Sequence, residues 1–167
     1  MNLTKQEALT KIEELRKYIS NQEQEWVKID YSIIPKEVFD LYGAKPFEIM
    51  KRKMCKDDTV WNTINFYDAK KEAEKLGYRL PTIQEILTLL HAYKIKYPDN
   101  ASVYHNEFLG IEELSYSESV CYEWIDAPSA FLRGGNWNDG ANGGVFALYV
   151  SAAPSSASTT VGFRCAR

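Results

Sequence analysis

From Arg133 onward the sequence departs from the composition of an ordinary domain. Five of the nine glycines fall between Gly134 and Gly144, a density that an uninterrupted helix or strand does not tolerate. Past Trp137 there is no Lys, Glu, Gln, Met or Trp. A globular stretch of this length should hold about seven charged residues, yet only Asp139, Arg164 and Arg167 are present. Between Tyr149 and Thr160 nearly every residue is Ser, Ala or Thr. A disordered tail is one reading of such a run. Its neighbours contradict that reading, because Val145-Phe146-Ala147-Leu148 before it and Val161-Gly162-Phe163-Arg164-Cys165 after it read as core strands. The small residues therefore lie on or between ordered strands.

The upstream residues supply the core of a single domain. Thr4-Lys5-Gln6-Glu7 forms a capping box, and Ala8, Leu9, Ile12, Leu15 and Ile19 continue it as a helical stripe. The stripe is free to dock on its own domain or to make an oligomer with another subunit. Residues 1–25 form this helical extension, and 26–167 form the domain proper. Residues 26–34 begin with strand alternation. Pro35 and Gly43 frame a short helix, and residues 46–54 read as a second strand. A helix runs from Asp68 to Leu76 and closes at Gly77. Thr82 caps another that reaches about Tyr93. Residues 97–119 read as a long loop with one turn of helix, and residues 120–125 as a strand. The order predicts an α+β fold: two helices on a small, twisted, mainly antiparallel sheet with long loops, plus the N-terminal helix.

Charge and composition exclude several functions. With a formal net charge of −3, the chain has no general attraction for nucleic acid or anionic lipid. No apolar run approaches the ~20 residues of a membrane helix, so no membrane insertion is expected. The first residues lack the pattern of a signal peptide, which predicts a cytoplasmic protein or one displayed on a virion or cell by assembly. Cys55, Cys121 and Cys165 form no CxxC pair, and His91 and His105 are the sole imidazoles. No metal site or cofactor is expected from that set, and the thiols read as small hydrophobes.

Four segments carry a resemblance. Gly77-Tyr78-Arg79-Leu80-Pro81-Thr82, Glu123-Trp124, Arg133-Gly134-Gly135-Asn136-Trp137 with Gly144-Val145-Phe146-Ala147-Leu148, and Gly162-Phe163-Arg164-Cys165-Ala166-Arg167 occur in the order seen in the formylglycine-generating-enzyme branch of the C-type lectin fold. Within that branch the chain resembles the variable proteins of diversity-generating retroelements, which include phage receptor-binding tips. In those proteins a reverse transcriptase misincorporates at template adenines, so AAC codons become NNC. An NNC codon never encodes Lys, Glu, Gln, Met or Trp, the residue types missing here. The resemblance implies variable ligand-binding positions at Asn138, Asp139, Asn142, Tyr149, Ser151, Ala152, Ser156, Ser158 and Thr160, with Asn136, Gly143 and Ala157 as secondary ones. It implies a fairly flat, exposed face that recognises a macromolecule, most naturally a protein, without catalysis.

Two rival functions remain open at this level. A formylglycine-generating oxidase would need a cysteine pair before the final Gly-Phe-Arg, and residues 144–161 contain no Cys. An interaction subunit without a diversified site is the other. Trp137-Asn138-Asp139 spells a calcium-ligand tripeptide of animal lectins, but no carboxylate side chain follows it, and calcium needs six to eight oxygens. Tyr149, beside small polar residues, reads as an exposed anchor with few torsions to freeze. Trp137 reads as core, and Arg133 and Arg164 read as donors to loop carbonyls.

Overall fold

The computed structural model describes residues 4, 6–11, 25–56, 59–98, 107–112, 122–135, 139 and 146–167. Strand β1 (Trp26–Ile29) pairs antiparallel with β2 (Phe47–Met50), and Trp26 faces Met50. Between them lies α1 (Lys36–Tyr42), which follows Pro35 and buries Val38 and Phe39. Strands β3 (Cys55–Lys56) and β4 (Thr59–Val60) form a short hairpin. Helices α2 (Phe66–Lys75) and α3 (Ile83–Lys96) come next. Hairpin β5–β6 (Glu107–Phe108, Ile111–Glu112) follows α3. The remaining strands are β7 (Tyr122–Ile125), β8 (Phe131–Arg133), β9 (Leu148–Tyr149) and β10 (Val161–Phe163). They form one sheet in the order β10-β7-β8-β9, with β10 parallel to β7 and the other pairs antiparallel. This is a mixed α+β architecture. No helix of the described residues is long and apolar enough to cross a membrane.

Local chemistry explains the helices. Asn65 caps α2 by accepting from the Asp68 N–H at 2.9 Å. At its other end Tyr78 N–H reaches Ala73 O and Gly77 N–H reaches Glu74 O. That is a Schellman closure, and Gly77 sits at φ 79°, where a side chain would be strained. Thr82 and Glu85 make a reciprocal capping box on α3. Thr4 and Glu7 do the same for helical residues 6–11. There Leu9 is half exposed and Ala8 half-buried, and Ile12, Leu15 and Ile19 of the stripe lie outside the described residues.

Residues 163–167 hold the molecule together. Met50 N–H donates to Cys165 O and Glu48 N–H to Arg167 O, both at 3.0 Å, and Ala166 bridges both Ile49 and Arg79. One buried cluster gathers Ile29, Phe39, Ile49, Leu89, Tyr93 and Ile125 under α1 and α3. A second gathers Met50, Phe66, Leu80, Trp124, Leu132 and Phe163 under α2 and the sheet.

Several expectations shift. Strand pairing stops at Ile29 because Asp30 accepts from Ser32 N–H at 2.9 Å and turns the chain. The second strand spans Phe47–Met50 rather than 46–54, α2 begins two residues before Asp68, and α3 continues to Lys96. Of the stretch 97–119, residues 107–112 form a hairpin, and residues 99–106 and 113–119 lie outside the described residues. The corner of the hairpin is Leu109-Gly110, both at positive φ, the geometry of a two-residue hairpin loop. Cys55 is exposed and Cys165 buried. Cys121, His105 and Trp137 lie outside the described residues.

Candidate functional site

The four-stranded sheet has two chemically opposite faces. Side chains alternate along a strand, so Tyr122 and Trp124 point one way from β7 while Glu123 points the other. The register carries this across the sheet: Phe163 faces Trp124, Trp124 faces Leu132, and Leu132 faces Tyr149. Exposure rises along that row, from fully buried Phe163 to half-exposed Tyr149.

On the other face Glu123 is ringed by cations, all of them buried. Arg133 Nη2 donates to Glu123 Oε2 at 2.9 Å, and Arg164 Nη2 donates to Oε1 at 2.9 Å. Lys53 Nζ stands 3.9 Å from Oε1. Burial alone would raise the Glu123 pKa. The charges of Arg133, Arg164 and Lys53 outweigh it and bring the group down to about 2. Arg164 also donates to Met50 O at 2.9 Å and Lys51 O at 2.7 Å, the loop-carbonyl role expected of it. Arg133 is held here by its ion pair with the Glu123 carboxylate. The network ties β7, β8 and the residue after β10 into one rigid unit.

Above the opposite face lies an open hollow of about 590 Å³ with Tyr122, Trp124 and Leu132 in its lining. Trp124 is pinned there by Nε1 donating to Ile64 O at 2.8 Å. Around it stand Tyr149, Ser151, Ala152, Ser156, Ser158 and Thr160, with Ala157 from the secondary set. Tyr149, Ser151, Ser156, Ala157 and Ser158 are exposed, whereas Ala152 and Thr160 are half-buried. The surface is concave rather than flat, because the segment after β9 arches over the sheet before returning as β10. Asp139 is half-buried and accepts from the Tyr122 hydroxyl at 2.5 Å. Asn136, Asn138, Asn142 and Gly143 lie outside the described residues.

The arch is held chiefly by its main chain. Phe66 N–H, an orphan donor of the first turn of α2, is satisfied by Pro154 O at 3.0 Å. Thr63 N–H donates to Ser158 O and Tyr122 N–H to Thr160 O, both at 3.0 Å. Ser156 N–H closes a turn on Ala153 O at 2.8 Å. Ser158 is the partial exception, as its hydroxyl lies 3.0 Å from the Thr160 hydroxyl. These carbonyl anchors are made by the main chain and not by the rim side chains.

Among the described residues no three His, Cys, Asp or Glu side chains group as a metal site. Burial pushes the Cys165 thiol up to about 12, which removes the thiolate that reactivity requires. Sequence reasoning missed Lys53, whose burial follows from a carboxylate it could not place nearby.

No family model matches the sequence, and no curated protein matches it. Among solved structures it is similar to the Major Tropism Determinant I1 variant, with a TM-score of 0.46 and 16% identity. The match covers 66% of this chain and 39% of that one.

Proposed function

We propose that the chain is a non-catalytic ligand-recognition domain of the C-type-lectin-like class, whose binding surface is the hollow between β7–β8 and the arch. In this reading Tyr149, Ser151, Ala152, Ser156, Ser158 and Thr160 contact the ligand. Asn138, Asp139 and Asn142 extend the set, and the positions are diversified by a retroelement. The ligand is a macromolecule, in the first instance a protein, and residues 1–25 connect the domain to the particle or cell that displays it. One observation carries the reading: the arch is anchored through carbonyls while its side chains surround one cavity. A position that accepts nearly any residue cannot be close-packed; Tyr149, Ser151, Ser156 and Ser158 are exposed, whereas Ala152 packs beside the second cluster. The absence of Cys from residues 144–161 favours binding over the oxidase chemistry of the resembled branch.

The test is tolerance. Ser151, Ala152, Ser156, Ser158 and Thr160 are randomised with NNC codons, Tyr149 is held, and the library is displayed on yeast. Most members are expected to melt like the parent, and selection on an arbitrary folded protein such as lysozyme should yield binders. Loss of cooperative unfolding in most members would overturn the proposal. Diversification has its own check at the gene. A near-copy of the codons for residues 133–167, with AAC at the variable positions, is expected beside a reverse-transcriptase gene. Its absence would leave a binding domain without that history.

A further inference from the structure

Strand β9 is the outer strand of its sheet, and among the described residues nothing pairs with its free side. Natural edge strands are shielded by Lys, Pro, bulges or inward charges. Residues 146–151, Phe-Ala-Leu-Tyr-Val-Ser, contain no charge and no proline. Instead Leu148, Tyr149 and Val150 are 41%, 50% and 55% exposed in succession. The backbone at this edge is open as well. Gly134 N–H donates to Ala147 O at 3.0 Å, so residue 147 is a bonded position of the β8–β9 ladder. Alternation then turns the N–H and C=O of Leu148 and Val150 away from β8.

A second hollow, of about 500 Å³, lies on the other side of this strand. It is lined by Leu90, His91 and Lys94 of α3 and by Phe146 and Leu148. Tyr149 and Ser151 line the first hollow, and Phe146 and Leu148 line the second. The edge therefore has a receiving cavity on each face, in the alternation a paired strand would present.

We infer that β9 takes up an extended segment of a partner protein by strand addition, with alternate side chains entering the two hollows. Main-chain bonds to Leu148 and Val150 supply affinity, and the hollows supply specificity. The lining of the first hollow carries no charged side chain, so it takes an uncharged aromatic or aliphatic residue. The second combines apolar walls with Lys94, so it takes an aliphatic residue next to a carboxylate. A second copy of this chain is the poorer occupant, because residues 146–153 hold no carboxylate to meet Lys94. The inference rests on the proposed binding surface for the first hollow alone.

The experiment selects short linear peptides from a random yeast-displayed library on the whole chain, then measures their affinity for variants. Val150→Pro removes an outward N–H and leaves the β8 pairing intact. It is expected to weaken the selected peptides about tenfold or more, with the melting temperature unchanged. N-methylation of every second peptide amide should weaken binding equally, and methylation of the intervening amides should not. Peptides indifferent to Val150→Pro, or a library without binders, would overturn strand addition. So would a dimer of the free chain that Val150→Pro dissolves, since the occupant is then a second copy. Replacing Ser156 and Ser158 by Asn separates the two proposals. Peptides sensitive to that change but not to Val150→Pro support the hollow without strand addition, and the reverse pattern supports strand addition without the hollow.

Discussion

Residues 146–160 and 161–166 are consecutive, yet they are built to opposite rules. No residue of the first stretch is fully buried, and every residue of the second is. The first is held by carbonyls, and its side chains line a cavity. The second adds side chains to its main-chain bonds: Arg164 is bonded to Glu123, Met50 and Lys51, and Phe163 packs edge-on against Trp61 at 5.7 Å. Exposed side chains that anchor little can thus stand directly next to buried side chains on which the packing depends.

The largest expected effect breaks the rigid half. Glu123→Gln leaves Arg133, Arg164 and Lys53 facing a neutral amide in the interior. Removing one partner of a buried ion pair costs about 3–5 kcal/mol, which urea unfolding will read as a large drop in midpoint. A smaller loss of the same origin follows acidification. Glu123 has a folded pKa near 2, below its ordinary 4.5, so its contribution is complete above pH 4.5 and fades as pH falls toward 2. That contribution is roughly 3 kcal/mol, and the pH dependence of the urea midpoint should flatten in Glu123→Gln.

The other half should respond in binding and not in stability. In lysozyme binders from the randomised library, Tyr149→Ala is expected to weaken binding by about 2 kcal/mol with the melt unchanged. A fall in melting temperature would move Tyr149 from the contact surface into the scaffold. Smaller still, Ser151, Ser156 and Thr160 replaced by Asn should each change stability by less than about 0.5 kcal/mol in calorimetry. The smallest expected effect is none: EDTA should leave the melting temperature where it was, since a bound ion would stabilise the native state by linkage. A drop restored by calcium or copper would reverse the metal-free reading.

What the sequence made legible was local. The capping boxes at Thr4 and Thr82, the helix stop at Gly77 and the odd composition after Trp137 are each written within a few residues. The exposure of Tyr149 was readable from its small polar neighbours. What escaped depends on partners distant in sequence. Lys53 becomes a core residue through Glu123, seventy residues away. The β5–β6 corner was hidden because Leu109, at φ 54°, stands where Asn, Asp or Gly would have announced a turn. The second hollow needed α3 beside residues 146–148, which no pattern along the chain foretells.

The pairing of Glu48 with Arg167 has a consequence for synthesis. These partners are separated by nearly three-quarters of the chain, so the contacts that close the fold form late, after residues 138–160 have been translated. A ribosome that stops or slips within residues 138–160 yields a product lacking β10, Arg164 and the residues that clasp β2. Such a product leaves Glu123 without Arg164 and the second apolar cluster without Val161, Phe163 and Cys165. Only a chain read in frame through residues 138–160 completes the four-stranded sheet and the clasp on β2.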